Sequence, residues 1–521
     1  MNANDAPILD AALIAALRDD LEEAGWTVEA LEEILSDRAR AALAREQRLP
    51  ALIELEGRDD PASVLTRLFV LGSVESEADL AAALPRLGGR GARALGLVAP
   101  AEEEGGAGAG LSALLDLRPY AATLGLTGVS DDTAGEVAWW IASDIPGSRA
   151  GGPLRPDHVL GVGGASTSLL EMTIRDRVDS ALDMGCGCGI QAMHLTTHAR
   201  RVVATDLSAR ACAFTRFNAA LNGLDIEVRE GSLFEPVAGE AFDLIVTNPP
   251  FVITPDSLRG ARGLLEYRDG GMSRDGLVHA VVRSGPDHLV PGGILQLIGN
   301  WEIPAGRDPD AEWGLRLEEW FEGLAVDAWI VERDVLDPAR YIEMWLEDAD
   351  PGSAVNEDAY RAWLADFDAA GVGGIGMGFM AIRRHAGDEG AAVLRFDLGL
   401  AGARPRGADV AQTLQALRLP ADLAPLRLER AEDVTEERHY VPGSPDPQVM
   451  ILHQGSGLGR SIMVGTAVSA VVGASDGELE VGQIIAAVAM LTERDADEVR
   501  AEVDEPLRGL LRAGMLRIVE D

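Results

Sequence analysis

The residues best suited to chemistry are Asn248-Pro249-Pro250-Phe251, at the end of an apolar run, FDLIVT. An amide or aryl amine nitrogen is a poor nucleophile, because its lone pair is delocalised into the neighbouring π-system. A site that makes it react must hold the nitrogen in line with its electrophile and favour the pyramidal geometry of the transition state. Two hydrogen-bond acceptors aimed at one NH₂ group do both. The Asn248 side-chain oxygen is one. The Pro249 carbonyl is the other, on a backbone stiffened by Pro249 and Pro250. Phe251 is suited to lie against the planar group or the charge that develops on nitrogen.

A second candidate is the loop Asp183-Met184-Gly185-Cys186-Gly187-Cys188-Gly189, after one apolar run and before a helical stretch. Its glycines permit a tight turn and a close approach of ligand to backbone. A dinucleotide fingerprint needs glycine at the first, third and sixth places, and Ile190 holds the sixth. The spacing suits S-adenosyl-L-methionine instead. Asp183 would then take the amino-acid end of the cofactor, directly or through water, with Gly185, Cys186, Gly187 and Gly189 around it. Asp206 closes the next run, VVATD, where an acid would hold ribose hydroxyls, and Leu207 follows it. In GSLFEP, Ser232 and Leu233 are placed for adenine. Cys186 and Cys188 lack the second cysteine pair of a usual zinc site, and His194 and His198 lack the glutamate of HExxH, so no metal is expected.

These residues need a scaffold that brings successive strand ends together. From about residue 155, apolar runs (SALDMG, RVVATD, IEVREG, FDLIVTNPP, GGILQLIGNW, VDAWIVERDV, GIGMGFMAIRR) alternate with helical stretches. That alternation predicts an α/β fold with a parallel, doubly wound sheet over residues 151–386. An insert before the last run holds Tyr341, Trp345, Tyr360 and Trp363, and core packing is favoured over a substrate lid. Residues 1–68 read as helices, with Thr27 capping VEALEEILSD. Residues 69–150 read as a small α+β or winged-helix-like unit, with strands around the Gly-rich hairpin EEEGGAGAG, and GSRAGGPLRP reads as a linker. Residues 387–521 form an accessory region that ends in a winged-helix-like helix, helix and closing strand. LHQGSGLGRSIMVGT within it reads as a strand-turn element.

The motifs DMGCGCG, VVATDLSARA, FNAALNGL, GSLFEP and FDLIVTNPPF resemble those of the class I methyltransferase "small domain" family with the (D/N)PP(Y/F/W) tetrapeptide. The likeness is greatest to release-factor glutamine methyltransferases; guanine-N2 rRNA methyltransferases share the glycine loop and NPPF. YRDGGMSRDG and HLVPGGIL also resemble the glutamine methyltransferase pattern. The resemblance spans about residues 160–300. It implies a Rossmann-like seven-stranded sheet with an antiparallel last strand, and cofactor contacts at Asp183, Gly185, Gly187, Asp206 and Asn248. It also places GVGGASTSLLEMT over the cofactor, with Thr167 and Ser168 contributing. Ser232 departs from the family's aspartate, and Phe251 departs from the tyrosine usual in glutamine methyltransferases.

Composition narrows the partners. The 45 basic residues are all arginine, so no Schiff-base or P-loop lysine exists, and the formal net charge of −40 opposes broad binding to phosphate backbones. Three cysteines exclude a disulfide scaffold and suit a cytoplasmic setting, and no apolar run is long enough for a membrane span. A protein or peptide substrate is favoured. A structured RNA would need an arginine-lined groove beside Asn248, for which Arg155, Arg175, Arg259, Arg262, Arg268 and Arg274 are near in sequence. The same motifs would also serve methylation of a peptide natural product, and the same fold could support a non-catalytic binding protein.

Overall fold

The computed structural model describes residues 6–101, 110–124, 135–150, 154–259, 270–308, 312–349, 357–399, 405–455 and 457–519. The hairpin tip EEEGGAGAG, the middle of the GSRAGGPLRP linker, and Arg262 and Arg268 fall outside them, apart from Gly110 at the end of the hairpin.

At the centre lies an eight-stranded sheet: β1 (Val178–Met184), β2 (Ala199–Asp206), β3 (Glu227–Glu230), β4 (Phe242–Thr247), β5 (Leu289–Pro304), β6 (Val326–Leu336), β7 (Val372–Arg384) and β8 (Val393–Leu398). The spatial order is β3-β2-β1-β4-β5-β7-β6-β8. β1 to β5 run parallel, and β7 is antiparallel to both β5 and β6. All seven strands expected from the sequence are present. The eighth corrects the expectation: Val393–Leu398 pairs parallel with β6, and its Asp397 accepts a 2.7 Å hydrogen bond from Trp329 Nε1. The boundary expected at 386 therefore moves beyond Leu398. The cause is a bare sheet edge, which is covered by this short strand.

The central strands are apolar on both faces because helices cover each side. Three of these helices matter for the site: α1 (Gly164–Met172), α2 (Ile190–Leu195) and α3 (Ala209–Leu221), which starts at Ser208, whose Oγ accepts from Ala211 N. The insert forms α4 (Pro338–Ala349) and α5 (Glu357–Ala370). Tyr341 and Trp363 are fully buried there in a cluster with Val252 and Ile253, so the insert packs as core against the segment after Phe251.

The first 150 residues do not divide at 68. Leu17, Leu68, Leu97 and Leu117 share one apolar cluster, and that cluster also takes in Phe214, Phe217 and Leu221 of α3. A hairpin of strands Asp116–Leu124 and Gly135–Ser143 lies on α3. Asn218 and Asn222 lock it there: each amide oxygen accepts from the hairpin backbone and each amide nitrogen donates to it, at 2.8–2.9 Å, through Ala142 and Trp140. Arg18, on the helix Ala11–Glu23, donates to the Leu221 carbonyl at 2.6 Å and so caps the end of α3. What read as a linker carries Arg149, which donates to Phe69 O at 3.0 Å and pairs with Asp116.

In the last region, helices Thr466–Ala474, Val481–Leu491 and Ala496–Arg512 pack with a three-stranded antiparallel sheet. Its middle strand, Arg427–Arg430, comes from ahead of the helices. The expected strand-turn element is the antiparallel pair Val449–Gln454 and Ser461–Val464. No helix among the described residues is long and apolar enough to cross a membrane.

Candidate functional site

Strand register sets the site. Met184 of β1 stands opposite Thr205 of β2 on one side and Thr247 of β4 on the other. The next residues, Gly185, Asp206 and Asn248, therefore stand in one row at the carboxyl ends of parallel strands, where the order reverses. Adjacent strands lie about 4.8 Å apart, so the row spans about 10 Å.

Above the row is a cavity of about 560 Å³, within the roughly 300–1,000 Å³ range of small-molecule sites. Gly185, Cys186, Gly187, Asp206, Leu207, Ser232, Leu233, Asn248, Pro249 and Pro250 line it. Five other candidates do not. Asp183 lies beneath the loop, Gly189 packs behind it, Thr167 is turned back so that its hydroxyl donates to Gly163 O at 3.1 Å, Ser168 is half-buried on α1, and Phe251 is half-buried with its ring set T-shaped against Trp345.

The loop holds its shape through left-handed backbone at Gly185, Gly187 and Gly189, with φ of 77°, 54° and 89°. At Gly189 there is also no room: a Cβ would stand 2.9 Å from Thr215 Cγ2. Leu233 is left-handed too, at φ 47°, an uncommon conformation for a branched residue and a local strain at the cavity edge. Asp206 braces the loop and the start of α3 together. One carboxylate oxygen accepts from Gly187 N at 3.0 Å, and the other accepts from Ser208 N at 2.9 Å.

Asp183 is fully buried. Its Oδ2 accepts from Ala192 N at 2.9 Å, and its Oδ1 has no hydrogen-bond partner among the described residues. Burial pushes this carboxyl up to about 7, with the charge of Asp206 adding to the rise.

Asn248 is fixed from the α1 side. Its Nδ2 donates to Ser166 Oγ at 3.3 Å, and Ser166 O accepts from Gln191 Nε2 at 3.0 Å. The side-chain oxygen of Asn248 then lies on the opposite edge of the amide. α1 is itself pinned to β5, where the buried Gln296 accepts from Ile174 N at 2.8 Å and donates to Met172 O at 2.7 Å. After the tetrapeptide, Tyr341 Oη accepts from Ile253 N at 3.0 Å and Trp363 Nε1 donates to Ile253 O at 2.9 Å.

Sequence reasoning did not single out Ser166, Gln191, His158, Leu160, Met272 or Leu277, all of which line the cavity. Ser166 and Gln191 sit beside residues that were singled out, and that adjacency was the available signal. The thiols and imidazoles around the loop contact protein groups. Cys186 accepts from Thr215 Oγ1 at 3.2 Å, and hydrogen bonding to Cys212 and burial push its thiol up. His194 Nε2 lies 2.8 Å from Tyr120 Oη, and His198 contacts the carbonyls of Leu195 and Ile174. Burial pulls the two histidines down to about 3 and about 4, which keeps both neutral.

Residues 162–262 match the family model described as methyltransferase small domain, and residues 23–109 match a domain of unknown function, DUF7059. The ribosomal RNA small subunit methyltransferase C of Alcanivorax borkumensis is 32% identical over 123 residues, 24% of this chain and 33% of that protein. The release factor glutamine methyltransferase of Geobacter sulfurreducens is 36% identical over 138 residues, 24% of this chain and 48% of that protein. A solved structure of the Thermus thermophilus 16S rRNA N2 G1207 methyltransferase, with AdoMet and guanosine, is 22% identical, with a TM-score of 0.26 over 44% of this chain and 55% of that one. The chain spans a third to about half the length of these curated relatives. The resemblance drawn from the motifs is thus found again over residues 162–262.

Proposed function

We propose that the chain is an S-adenosyl-L-methionine-dependent N-methyltransferase acting on a planar amide or amine nitrogen of a protein or peptide. The observation that carries this reading is the row of strand ends that turns the glycine loop, Asp206 and Asn248 toward one cavity. The residues fit the cofactor. The loop offers close backbone approach, the Asp206 carboxylate suits ribose hydroxyls, and Ser232 and Leu233 suit adenine; Asp183, beneath the loop and outside the cavity lining, acts on the amino-acid end only through that loop.

When bound, S-adenosyl-L-methionine supplies a methyl group on a sulfonium that is already a good leaving group. The chain's own task is the nucleophile. The Asn248 side-chain oxygen and the Pro249 carbonyl would accept from the substrate NH₂, hold the nitrogen in line, and favour its pyramidal form. Ser166 restrains the Asn248 amide while this happens. Phe251 faces Trp345 rather than the cavity, so its support for the substrate is indirect, through the backbone of the tetrapeptide.

Of the six arginines named for an RNA groove, the three with described side chains are engaged with protein groups, which supports a polypeptide. Arg155 pairs with Asp157, Arg175 is buried and donates to Leu170 O, and Arg274 pairs with Glu302 and Asp366. Phe251 and the ribosomal RNA methyltransferase relative favour the second reading, base methylation of RNA. Incubation with cofactor labelled in its methyl group and a cell lysate separates them. Label removed by protease supports a polypeptide acceptor, and label removed by nuclease supports RNA. No label in any fraction, with no cofactor binding by calorimetry, overturns the enzyme reading.

A further inference from the structure

One wall of the cavity comes from residues 156–161, which lie between the stretches matched by the two family models. This run belongs to no helix or strand. It is held by Asp144, the residue after the hairpin strand Gly135–Ser143. Asp144 N donates to Val159 O at 3.0 Å, and the Asp144 carboxylate accepts from Val159 N at 2.8 Å. Arg210 of α3 grips the same carboxylate with two nitrogens, Nε at 2.9 Å. The His158 imidazole stands beside them, Nδ1 at 3.8 Å from Asp144 Oδ2. All three side chains are buried. Gly161 adds a close approach: a Cβ there would stand 3.0 Å from Ser143 Oγ.

This cluster leads to a definite part of the cavity. Arg210 lies two residues after Ser208, whose N–H is held by Asp206. Ser208, Ala211 and His158 all line the cavity. Through Asp144 and Arg210, the segment that carries the imidazole is tied to the turn whose acid suits ribose hydroxyls.

We propose that His158 belongs to the cofactor site, contacting the nucleoside half of the bound cofactor, and that Asp144 of the N-terminal hairpin is its positioning residue. This rests on the cavity being the cofactor site. Burial lowers the imidazole's proton affinity despite Asp144, with Arg210 and Arg155 lowering it further and Asp157 opposing. With Nδ1 turned to Asp144, the ring meets the cofactor through Nε2, and a hydroxyl or an adenine nitrogen supplies the complement to whichever role its tautomer gives that nitrogen. The N-terminal region then completes the site rather than decorating it.

Calorimetric titration of the full chain tests this with two ligands that share the nucleoside half, S-adenosylhomocysteine and 5′-methylthioadenosine. His158→Ala should weaken both by the same factor, about tenfold, as for one lost hydrogen bond in a dry site. His158→Gln, which keeps a donor and an acceptor, should recover to within about threefold of wild type. Asp144→Asn should weaken both ligands to a similar degree, and combined with His158→Ala it should cost little more than either alone. Wild-type affinity in His158→Ala overturns the proposal while leaving the cofactor reading intact. Equal losses in the Ala and Gln variants overturn the contact, and additive losses overturn Asp144 as its positioner. If Asp144→Asn does not fold, as judged by circular dichroism, the Ala and Gln pair decides the contact. If wild type binds neither ligand, this proposal and the cofactor reading fall together.

Discussion

The sharpest consequence of the site's electrostatics concerns Asp183→Asn in the ligand-free protein. The buried carboxyl of Asp183 titrates at about 7, against 3.8 for the ordinary group. A group whose pKa is raised by folding contributes its full stability below the unfolded value and loses it as pH rises through the folded one. At about 1.4 kcal/mol per unit, the wild type has lost, relative to low pH, about 2 kcal/mol at pH 5.5, where only the unfolded chain's carboxyl is ionised, and about 4 kcal/mol at pH 8, where the folded one is ionised too. Asparagine keeps an oxygen for Ala192 N and has no charge to bury. Its amide nitrogen brings a desolvation cost of about 1–3 kcal/mol, which does not vary with pH. The difference in unfolding free energy, variant minus wild type, should therefore rise by about 2 kcal/mol between pH 5.5 and pH 8. Urea unfolding followed by tryptophan fluorescence across that range measures it. A difference that is flat with pH would refute the assignment of a strained, half-satisfied carboxylate beneath the loop.

Three further outcomes are expected. Asn248→Ala should bind S-adenosylhomocysteine nearly as wild type by calorimetry, yet lose about 10²–10³-fold in single-turnover methyl transfer, comparable to removing one oxyanion-hole donor. Gly189→Ala meets Thr215 Cγ2 and an unfavourable φ, and should lose about 1–3 kcal/mol in chemical denaturation; adding Thr215→Ser, which deletes that methyl, should restore part of it. Tyr341→Phe removes the hydroxyl that accepts from Ile253 N and Asn300 Nδ2, leaving two buried donors, and should cost about 1–3 kcal/mol in the same assay.

The site was legible in the sequence where function depends on local backbone. Gly185 and Gly187 are required by left-handed turns, and the consecutive prolines after Asn248 end a strand, so both motifs carry their geometry with them. The seven expected strands were legible because two-sided burial leaves apolar runs. Placement relative to the cavity was not. Phe251 and Asp183 sit in the right motifs, but their directions are decided by packing, against Trp345 far along the chain for one and against the N–H of Ala192 on the following helix for the other. His158 lies in PLRPDHVLG, which has no periodicity or motif; its position comes from Asp144 and Arg210, on two other elements. β8 is six residues long and reads as a loop until the exposed edge of β6 is known. Helical periodicity in the first 68 residues showed an apolar face but not that α3 would cover it.

Arg18 reaches the end of α3 across 203 positions of chain. During synthesis the first helix thus emerges long before the surface it is shaped to meet. At about 5–20 residues per second, about 10–40 s pass before Leu221 leaves the ribosome. For that interval the apolar cluster that Leu17 and Leu21 share with Leu68, Leu97 and Leu117 lacks the face that Phe214, Phe217 and Leu221 supply. A chain stopped near residue 150 would never close this gap. It should emerge as a sticky fragment that calls on chaperones, whereas the full chain removes the hazard once α3 is made.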